Sequence, residues 1–194
     1  YVVGGAGTYC RVYRSFFKVF NSRSQIRLFV SIEDEFKYYF HDANCQLWFF
    51  ENNLPGYAWY VPKADGYLNV GIGGKFLALK NSGQTIRRHW DSFIAKLEEL
   101  SLVKGHTYRP RGHNYYLRQP VPAGRLNNAY IIGDAAGLAT LDLGEGIGPA
   151  IESGILAAKS ILTGCRFSER SVTRYSLIHF LWAGIKARIT ANSV

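Results

Sequence analysis

The segment 129–164 constrains the fold most, because it reads as a strand, a glycine-rich loop and a helix in succession. A buried strand is predicted for Ala129–Ile132, a loop for Gly133–Gly148, and a helix with Pro149 in its first turn. Asp134 directly follows the strand, so its carboxylate is expected at the strand's carboxyl end, where ligands of α/β sheets bind. A carboxylate there suits a sugar or polyol hydroxyl.

The glycine-rich end of this loop predicts a second binding element. The run Gly144-Glu145-Gly146-Ile147-Gly148 exposes backbone N–H groups at a helix start, whose partial positive charge favours an anion or an electron-rich carbonyl. The helix is expected to pack through an apolar stripe of Ile151, Gly154, Ile155, Ala158, Ile161 and Leu162. The alternative is a plain glycine-rich connector.

Residues 56–74 predict a β-hairpin, because Asp65-Gly66 is a turn signal between two strand-like runs. Alternation divides the first strand between two faces, with Tyr57, Trp59 and Val61 on one and Ala58 and Tyr60 on the other. The second strand carries Gly71, Gly73 and Gly74. Three glycines in a strand indicate that something approaches the backbone closely: a bulge, a neighbouring strand or a flat ligand.

The rest of the chain predicts further strands and two more helices, so that the fold class is α+β. Strands rich in aromatic and β-branched residues are expected at Gln25–Glu33, Glu35–Phe40, Cys45–Glu51 and His113–Arg118, in an antiparallel sheet. Apolar spacing predicts one helix over Gln84–Leu102. A last helix is expected from Ser168 onward, with an apolar face of Val172, Tyr175, Ile178, Trp182, Ile185 and Ile189.

Composition excludes several classes of protein. The 194 residues contain three cysteines, an odd number that favours buried thiols in a reducing compartment. They contain no Met, which favours a piece of a longer protein. No metal is expected, because the pair His41 and Cys45 is isolated and there is no CxxC. No apolar run reaches the length of a membrane span. The net charge of +9 is compatible with nucleic acid, an anionic membrane surface or a phosphate-bearing substrate as a partner. Because the basic residues are scattered along the chain, a solvated basic surface is the simplest interpretation.

The loop motifs resemble a known family. Gly133-Asp134-Ala135-Ala136-Gly137, followed by Gly144-Glu145-Gly146-Ile147-Gly148, is similar to the second flavin-binding motif of the flavoproteins that include p-hydroxybenzoate hydroxylase and the geranylgeranyl reductases. The resemblance implies that Asp134 holds the ribityl chain of FAD. It also implies that the glycine-rich helix start faces the pyrimidine edge of the flavin. The cofactor-binding residues implied are Gly133, Asp134, Ala136, Gly144, Gly146, Ile147 and Gly148.

Two further motifs extend the resemblance over about residues 1–165. Tyr57-x-Trp59-x-Val61-Pro62, then eight residues to Gly71-x-Gly73, resembles the YxWxFP…GxG signature of the geranylgeranyl reductase branch, with Val in place of Phe. This implies that these six residues contact the substrate. Val3–Gly7 resembles the family's middle motif, GADG followed by Ser and Arg, with Arg14 as the Arg. Ala6 stands where the family has Asp.

The resemblance implies the carboxyl part of a p-hydroxybenzoate hydroxylase-like FAD-binding fold with an antiparallel substrate-domain sheet. Residues 1–15 and 125–165 would belong to the flavin domain, 16–124 to the substrate domain and 166–194 to a helical segment. The family's amino-terminal GxGxxG, which cradles the FAD pyrophosphate, has no counterpart in this sequence. Without it, we expect this chain alone to bind FAD weakly.

The activity implied is the reduction of C=C bonds in a polyprenyl lipid or pigment by FAD, with NADPH or another reductant as electron donor. No catalytic acid or base can be assigned. A cytoplasmic protein with peripheral membrane contact through the basic last helix is expected, without nucleic acid as a partner. One alternative is an FAD-dependent monooxygenase or halogenase acting on an aromatic substrate. The other is a basic nucleic-acid-binding module that uses the aromatic run Phe36–Phe40.

Overall fold

The computed structural model describes residues 1–177, which contain eight strands and four α-helices. In chain order the elements are β1 Val2–Gly4, β2 Leu28–Lys37, β3 Gln46–Phe49, β4 Gly56–Pro62, β5 Tyr67–Lys75, α1 Phe76–Asn81, α2 Ile86–Glu99, β6 Arg111–Tyr116, β7 Arg125–Leu126, β8 Ala129–Ile131, α3 Gly133–Ala136 and α4 Ile147–Thr163. The described chain forms two compact units, one of residues 1–27 with 115–177 and the other of 28–114. These bounds differ from the sequence-based bounds of 16–124 for the sheet-rich part.

The second unit contains the predicted sheet, with the strand order β3-β4-β5-β2-β6. The pairs β2–β5, β3–β4 and β4–β5 are antiparallel, as expected. The two strands predicted for 25–33 and 35–40 are wrong as separate elements, because β2 runs through Asp34 without a turn. The carboxylate of Asp34 accepts the Arg109 N–H at 2.8 Å, which satisfies a charged side chain inside a strand.

One face of this sheet packs on α2 and forms the core of the unit. The helix lies within the predicted range, and Thr85 caps its start by accepting the Arg88 N–H at 3.3 Å. The apolar core comprises Leu54, Ala58, Tyr60, Leu68, Val70, Ile72, Leu79, Trp90, Phe93, Leu97 and Val103. The rings of Phe36, Tyr38 and Phe40 pack against this core, so most of the aromatic run considered for stacking nucleobases is engaged inside the unit.

The first unit contains a three-stranded sheet of order β1-β8-β7. The strand pair β1–β8 is parallel, with Val2 opposite Ala129, and β7–β8 is antiparallel. Helix α4 begins two residues before Pro149, which lies in its first turn as predicted. The chain thus runs from β8 through the short helix α3 and a loop into α4, and the segment 133–148 is not entirely a loop.

The predicted apolar stripe of α4 is wrong at its largest exposed members, although Ile161 packs against a core cluster as expected. Ile151 and Ile155 are 59% and 51% exposed, whereas the buried positions are Pro149, Ser153, Ala157 and Ser160. Small side chains on that face let the helix approach the backbone of α3, and Ser153 Oγ accepts the Gly133 N–H at 3.0 Å. The helix therefore packs through a narrow face of small residues rather than through its largest apolar groups.

The segment after α4 also differs from the prediction. The helix expected from Ser168 is replaced over 168–175 by a 3₁₀ turn, Glu169–Ser171, and extended chain. The Glu152 carboxylate accepts both the N–H and the hydroxyl of Thr173 at 2.7 Å, which holds this segment against α4. The other predicted face residues, Ile178, Trp182, Ile185 and Ile189, lie outside the described residues.

Three properties of the described chain concern its thiols, metal sites and membrane spans. All three thiols are free, but only Cys10 is buried, so the expectation of buried thiols is wrong for Cys45 and Cys165. Among residues 1–177 no cluster of His, Cys, Asp and Glu has the arrangement of a metal site. Within the same range, no helix combines the length and hydropathy that crossing a bilayer requires.

Candidate functional site

Helix α3 brings the Gly133-Asp134 pair of the loop motif against the start of α4. Gly133 has φ +53°, a left-handed conformation that glycine adopts without strain, and a methyl group there would lie 3.0 Å from the Ala150 Cβ. Ser153 is fixed in turn, since its hydroxyl donates to Pro149 O at 2.7 Å. Glycine at 133 is therefore required by both the turn and the close helix contact.

Asp134 has a carboxylate oxygen that has no hydrogen-bond partner within residues 1–177. Its Oδ1 is buried and forms no hydrogen bond with any of the described residues. Burial raises the pKa of this carboxyl, the guanidinium of Arg23 opposes the rise, and the carboxylate of Glu145 adds to it. A buried carboxylate oxygen without a donor is costly, so a ligand hydroxyl at this position would relieve a real deficit.

Gly146 leaves the approach to Asp134 open. A methyl group on Gly146 would lie 3.1 Å from the Asp134 Oδ1, which places the glycine-rich loop end beside the unpaired oxygen. Ala136 is buried in α3, two residues after Asp134. Ile147, at the start of α4, is 76% exposed. The structure thus brings Gly133, Asp134 and Gly146 together, whereas Ile147 points away from the packed part of the unit.

The start of α4 is less positive than the sequence indicated. The Gly148 N–H donates to the Glu145 carboxylate at 2.7 Å, so one of the backbone donors predicted to face an anion already has an anionic partner. Pro149 has no N–H to offer. Gly144 has φ +66°, and a methyl group on it would lie 2.9 Å from the Tyr115 hydroxyl oxygen. The expected dipole at Gly146–Gly148 is partly neutralised by Glu145.

The arginine that contacts the residues of this site directly is Arg23. Arg14 is exposed in the π-helical turn Tyr13–Phe17. The guanidinium of Arg23 lies 3.7 Å from the centre of the Tyr13 ring and donates to Thr8 O and, at 2.9 Å, to Ala135 O. It therefore ties the turn after β1 to α3. Sequence reasoning noted Arg23 only as one of many scattered cations, because no local pattern marks its long-range contacts.

Five of the six predicted substrate residues lie on the face of the second unit's sheet opposite the α2 core. Trp59 pairs with Gly71 and Tyr57 with Gly73 across β4 and β5, so these four residues share one face, as predicted. Val61 follows on the same face by alternation. Pro62 belongs to the other face, where it pairs with Leu68, and does not join the group.

The glycines of β5 are explained by aromatic rings of the chain itself. A methyl group on Gly71 would lie 2.1 Å from Cζ2 of Trp59, and one on Gly73 would lie 2.3 Å from Cε1 of Phe29. Of the choices left open by the sequence, a close neighbour within the sheet is the correct one. Phe29 was missed because it comes from β2, and only the register of the sheet brings it over Gly73.

This sheet face changes character along its length. The rings of Phe29, Phe49, Tyr57 and Trp59 form a connected group with centroids 5.5–6.4 Å apart. At one end the Trp59 indole N–H donates to Asn69 Oδ1 at 2.6 Å, and the Asn69 amide reaches Glu33 and Glu35 at 3.4 and 3.3 Å. The face is therefore apolar and aromatic along one part and carboxylate-bearing at the other.

Two other aromatic residues of the same unit lie away from this surface. Trp48 faces the α2 core, where its ring packs edge-on against Phe93 at 5.6 Å. Phe50 is 71% exposed at a left-handed turn with φ 57°.

Comparison with known proteins identifies curated relatives and solved structures that are similar to the chain. No family model matches the chain. Digeranylgeranylglycerophospholipid reductase 2 of Methanosphaera stadtmanae is 32% identical over 139 residues, which cover 66% of this chain and 32% of that protein. Over these residues the chain is similar to a geranylgeranyl-type lipid reductase. It spans about a third of the length of this curated relative.

Solved flavoprotein structures share the fold of the chain. A geranylgeranyl bacteriochlorophyll reductase-like protein from Thermoplasma acidophilum matches 78% of the chain and 38% of its own length, with a TM-score of 0.60 and 20% identity. The flavin-dependent halogenase CmlS matches 83% of the chain and 30% of its own, with a TM-score of 0.59 and 17% identity. The predicted α+β fold of this flavoprotein class is confirmed.

Proposed function

We propose that the protein is an FAD-dependent reductase that saturates C=C bonds in the isoprenoid chain of a lipid. The observation that carries this proposal is the unpaired, buried Asp134 Oδ1 beside Gly146, in a chain similar to a digeranylgeranylglycerophospholipid reductase. The similarity to a halogenase is one of fold, at 17% identity, and carries no activity. The sequence match therefore favours lipid reduction over halogenation or hydroxylation.

The residues of the first unit fit FAD. Asp134 would accept a hydrogen bond from a ribityl hydroxyl, and Gly146 would leave room for that chain. The Arg23 guanidinium supports the ionised form of Asp134, since its charge lowers the pKa that burial raises. Gly133, Ala136, Gly144, Ile147 and Gly148 would complete the cofactor site, and exposed Arg14 would contact the cofactor from the turn after β1. This unit is thus proposed as part of the flavin domain.

The second unit is proposed as the substrate domain. Its aromatic sheet face, built from Tyr57, Trp59 and Phe29 over Gly71 and Gly73, would contact an isoprenoid chain, because flat rings and aliphatic chains bury apolar surface well. When bound and reduced, FAD supplies the hydride for the double bond. The electron donor is proposed to be NADPH or another reductant.

A lipid substrate implies contact with a membrane surface. The sequence of the last segment, with Trp182 and two nearby basic residues, remains the basis for proposing peripheral docking on anionic lipid. A cytoplasmic location is proposed on the same footing.

The test uses the full-length protein. We expect it to purify with a flavin absorbance band and, under anaerobic reduction, to add hydrogen to a geranylgeranyl-bearing phospholipid, measured by mass spectrometry of the lipid. Asp134→Ala should lower flavin content and activity together, whereas Asp91→Ala, an exposed carboxylate on α2, should change neither. Bound flavin with halogenation or hydroxylation of an aromatic substrate, and no lipid reduction, would contradict the proposal.

A further inference from the structure

A cavity in the first unit is lined largely by arginine side chains. It has a volume of about 550 Å³, and we name it the arginine cavity. Its lining consists of Arg27, Arg118, Gln119, Pro120, Val121, Pro122, Leu141, Glu169, Arg170 and Arg174. None of these is among the residues proposed to bind FAD. Four guanidinium groups against one carboxylate give the lining an excess of three positive charges.

Arg118 is the buried member of this group. Its residue is 6% exposed, and its position is fixed because its N–H donates to Ala139 O at 2.6 Å next to the bridge between Leu117 and Ala139. One guanidinium nitrogen, Nη2, donates to Glu169 O. The other, Nη1, is buried and has no hydrogen-bond partner among residues 1–177. A guanidinium in this state lacks the anion that would offset its desolvation.

The pKa of Arg118 is consistent with the same lack of an anionic partner. Burial lowers the pKa of Arg118, the charge of Arg174 lowers it further, and Glu169 and Glu152 oppose the change. Glu169 does not neutralise the cavity by direct pairing, because within the described chain no carboxylate lies within 4.0 Å of a lining guanidinium. Its Oε2 lies instead over Gly124, 2.9 Å from where a methyl group would be.

We propose that the arginine cavity binds the phosphate group of an organic phosphate. Guanidinium groups bind phosphate through paired, charge-assisted hydrogen bonds, and a phosphate would supply the acceptor that Arg118 Nη1 lacks. The volume of about 550 Å³ leaves room for an organic group beside the phosphate. The cavity shares no lining residue with the proposed flavin site, and the proposal does not depend on that site.

The test measures phosphate binding by the full-length protein with FAD bound, by calorimetric titration with inorganic phosphate and with glycerol 3-phosphate. We expect both to bind, glycerol 3-phosphate more tightly. Arg118→Met and Arg174→Ala should each weaken binding about tenfold, which corresponds to one lost charge-assisted bond. Arg166→Ala, an exposed cation of the same unit outside the cavity, should leave binding unchanged.

The exposed position of Arg174 keeps the proposal falsifiable if Arg118→Met fails to fold. Equal affinity in wild type, Arg174→Ala and Arg166→Ala would overturn it, as would the absence of phosphate binding at millimolar concentration. Binding that disappears when FAD is loaded would assign the cavity to the cofactor and also overturn it. Vesicles of anionic phospholipid that compete with glycerol 3-phosphate would support a lipid phosphate as the source, and their failure to compete would support a soluble one.

Discussion

The two glycine-rich regions of the molecule use glycine for different purposes. In the sheet of the second unit, Gly71 and Gly73 make room for rings of the same chain, and a methyl group would meet Trp59 or Phe29 at 2.1 and 2.3 Å. In the loop before α4, Gly146 lies beside a carboxylate oxygen that has no partner in the described chain. In the first region the chain's own rings fill the space beside the glycines. In the second region a carboxylate oxygen lacks a hydrogen-bond donor, which a ligand can supply. Glycine spacing alone does not distinguish them.

The largest effect is expected from adding a methyl group to Gly71 in the sheet of the second unit. Gly71→Ala should destabilise the second unit by about 3 kcal/mol, the upper end of overpacking, because the new methyl would lie 2.1 Å from Trp59 Cζ2 and 2.9 Å from the Cβ of Glu33. Chemical denaturation of the full-length protein would measure it. Gly112→Ala is the matched control, since its nearest neighbour would be Ser31 O at 3.8 Å.

A rescue experiment identifies the cause. In a Trp59→Leu background, the additional cost of Gly71→Ala should shrink because the indole is gone. An undiminished cost would show that the glycine serves the backbone rather than the ring, and the assignment of Gly71 to ring packing would be wrong.

The sheet could be predicted from sequence because its information is local. Alternation fixed the faces of Tyr57 and Trp59, and Asp65-Gly66 fixed the turn, where the structure has φ of 59° and 70° in succession. Helix α2 was predicted for the same reason, from apolar spacing. Local reasoning failed at Asp34, whose partner Arg109 lies far along the chain and makes a charged residue acceptable within β2.

The site in the first unit could be predicted only in part. The motif identified Gly133 and Asp134, but not the groups that fix them, which are Ser153 on α4 and Arg23 near the amino terminus. The stripe on α4 was misassigned because large apolar side chains are usually buried, whereas close helix packing here selects Ser and Ala. Such long-range choices depend on tertiary contacts that no short window of sequence contains.

The deficit at Asp134 predicts a large effect on cofactor binding. Asp134→Ala should weaken FAD binding to the full-length protein by roughly ten- to a hundred-fold, the effect of losing a charge-assisted hydrogen bond of about 1.5–3 kcal/mol. Fluorescence titration of the flavin would measure the dissociation constant. Thermal unfolding of the same variant in the absence of FAD should show no loss of stability, and an unchanged affinity would remove Asp134 from the site.

The same deficit should appear in the pH dependence of stability without FAD. Burial raises the pKa of Asp134 above its unfolded value of about 3.9. The folded state therefore binds more protons between those two values, and stability falls as pH rises through that window. Asp134→Asn removes this cost, so its advantage over the wild type should grow from about pH 4 towards neutrality. A constant difference across that range would contradict the raised pKa.

The smallest effect concerns the charge at the start of α4. Glu145→Gln keeps an acceptor for the Gly148 N–H but removes a carboxylate from the positive end of the helix, which should lower stability by about 0.3–1 kcal/mol. The same change removes a negative charge that raises the pKa of Asp134, so that pKa should fall. Carboxyl NMR of the FAD-free protein would report the pKa, and denaturation would report the stability. If Glu145→Gln leaves the Asp134 pKa unchanged, the two carboxylates are not coupled, and burial alone accounts for the state of the unpaired oxygen.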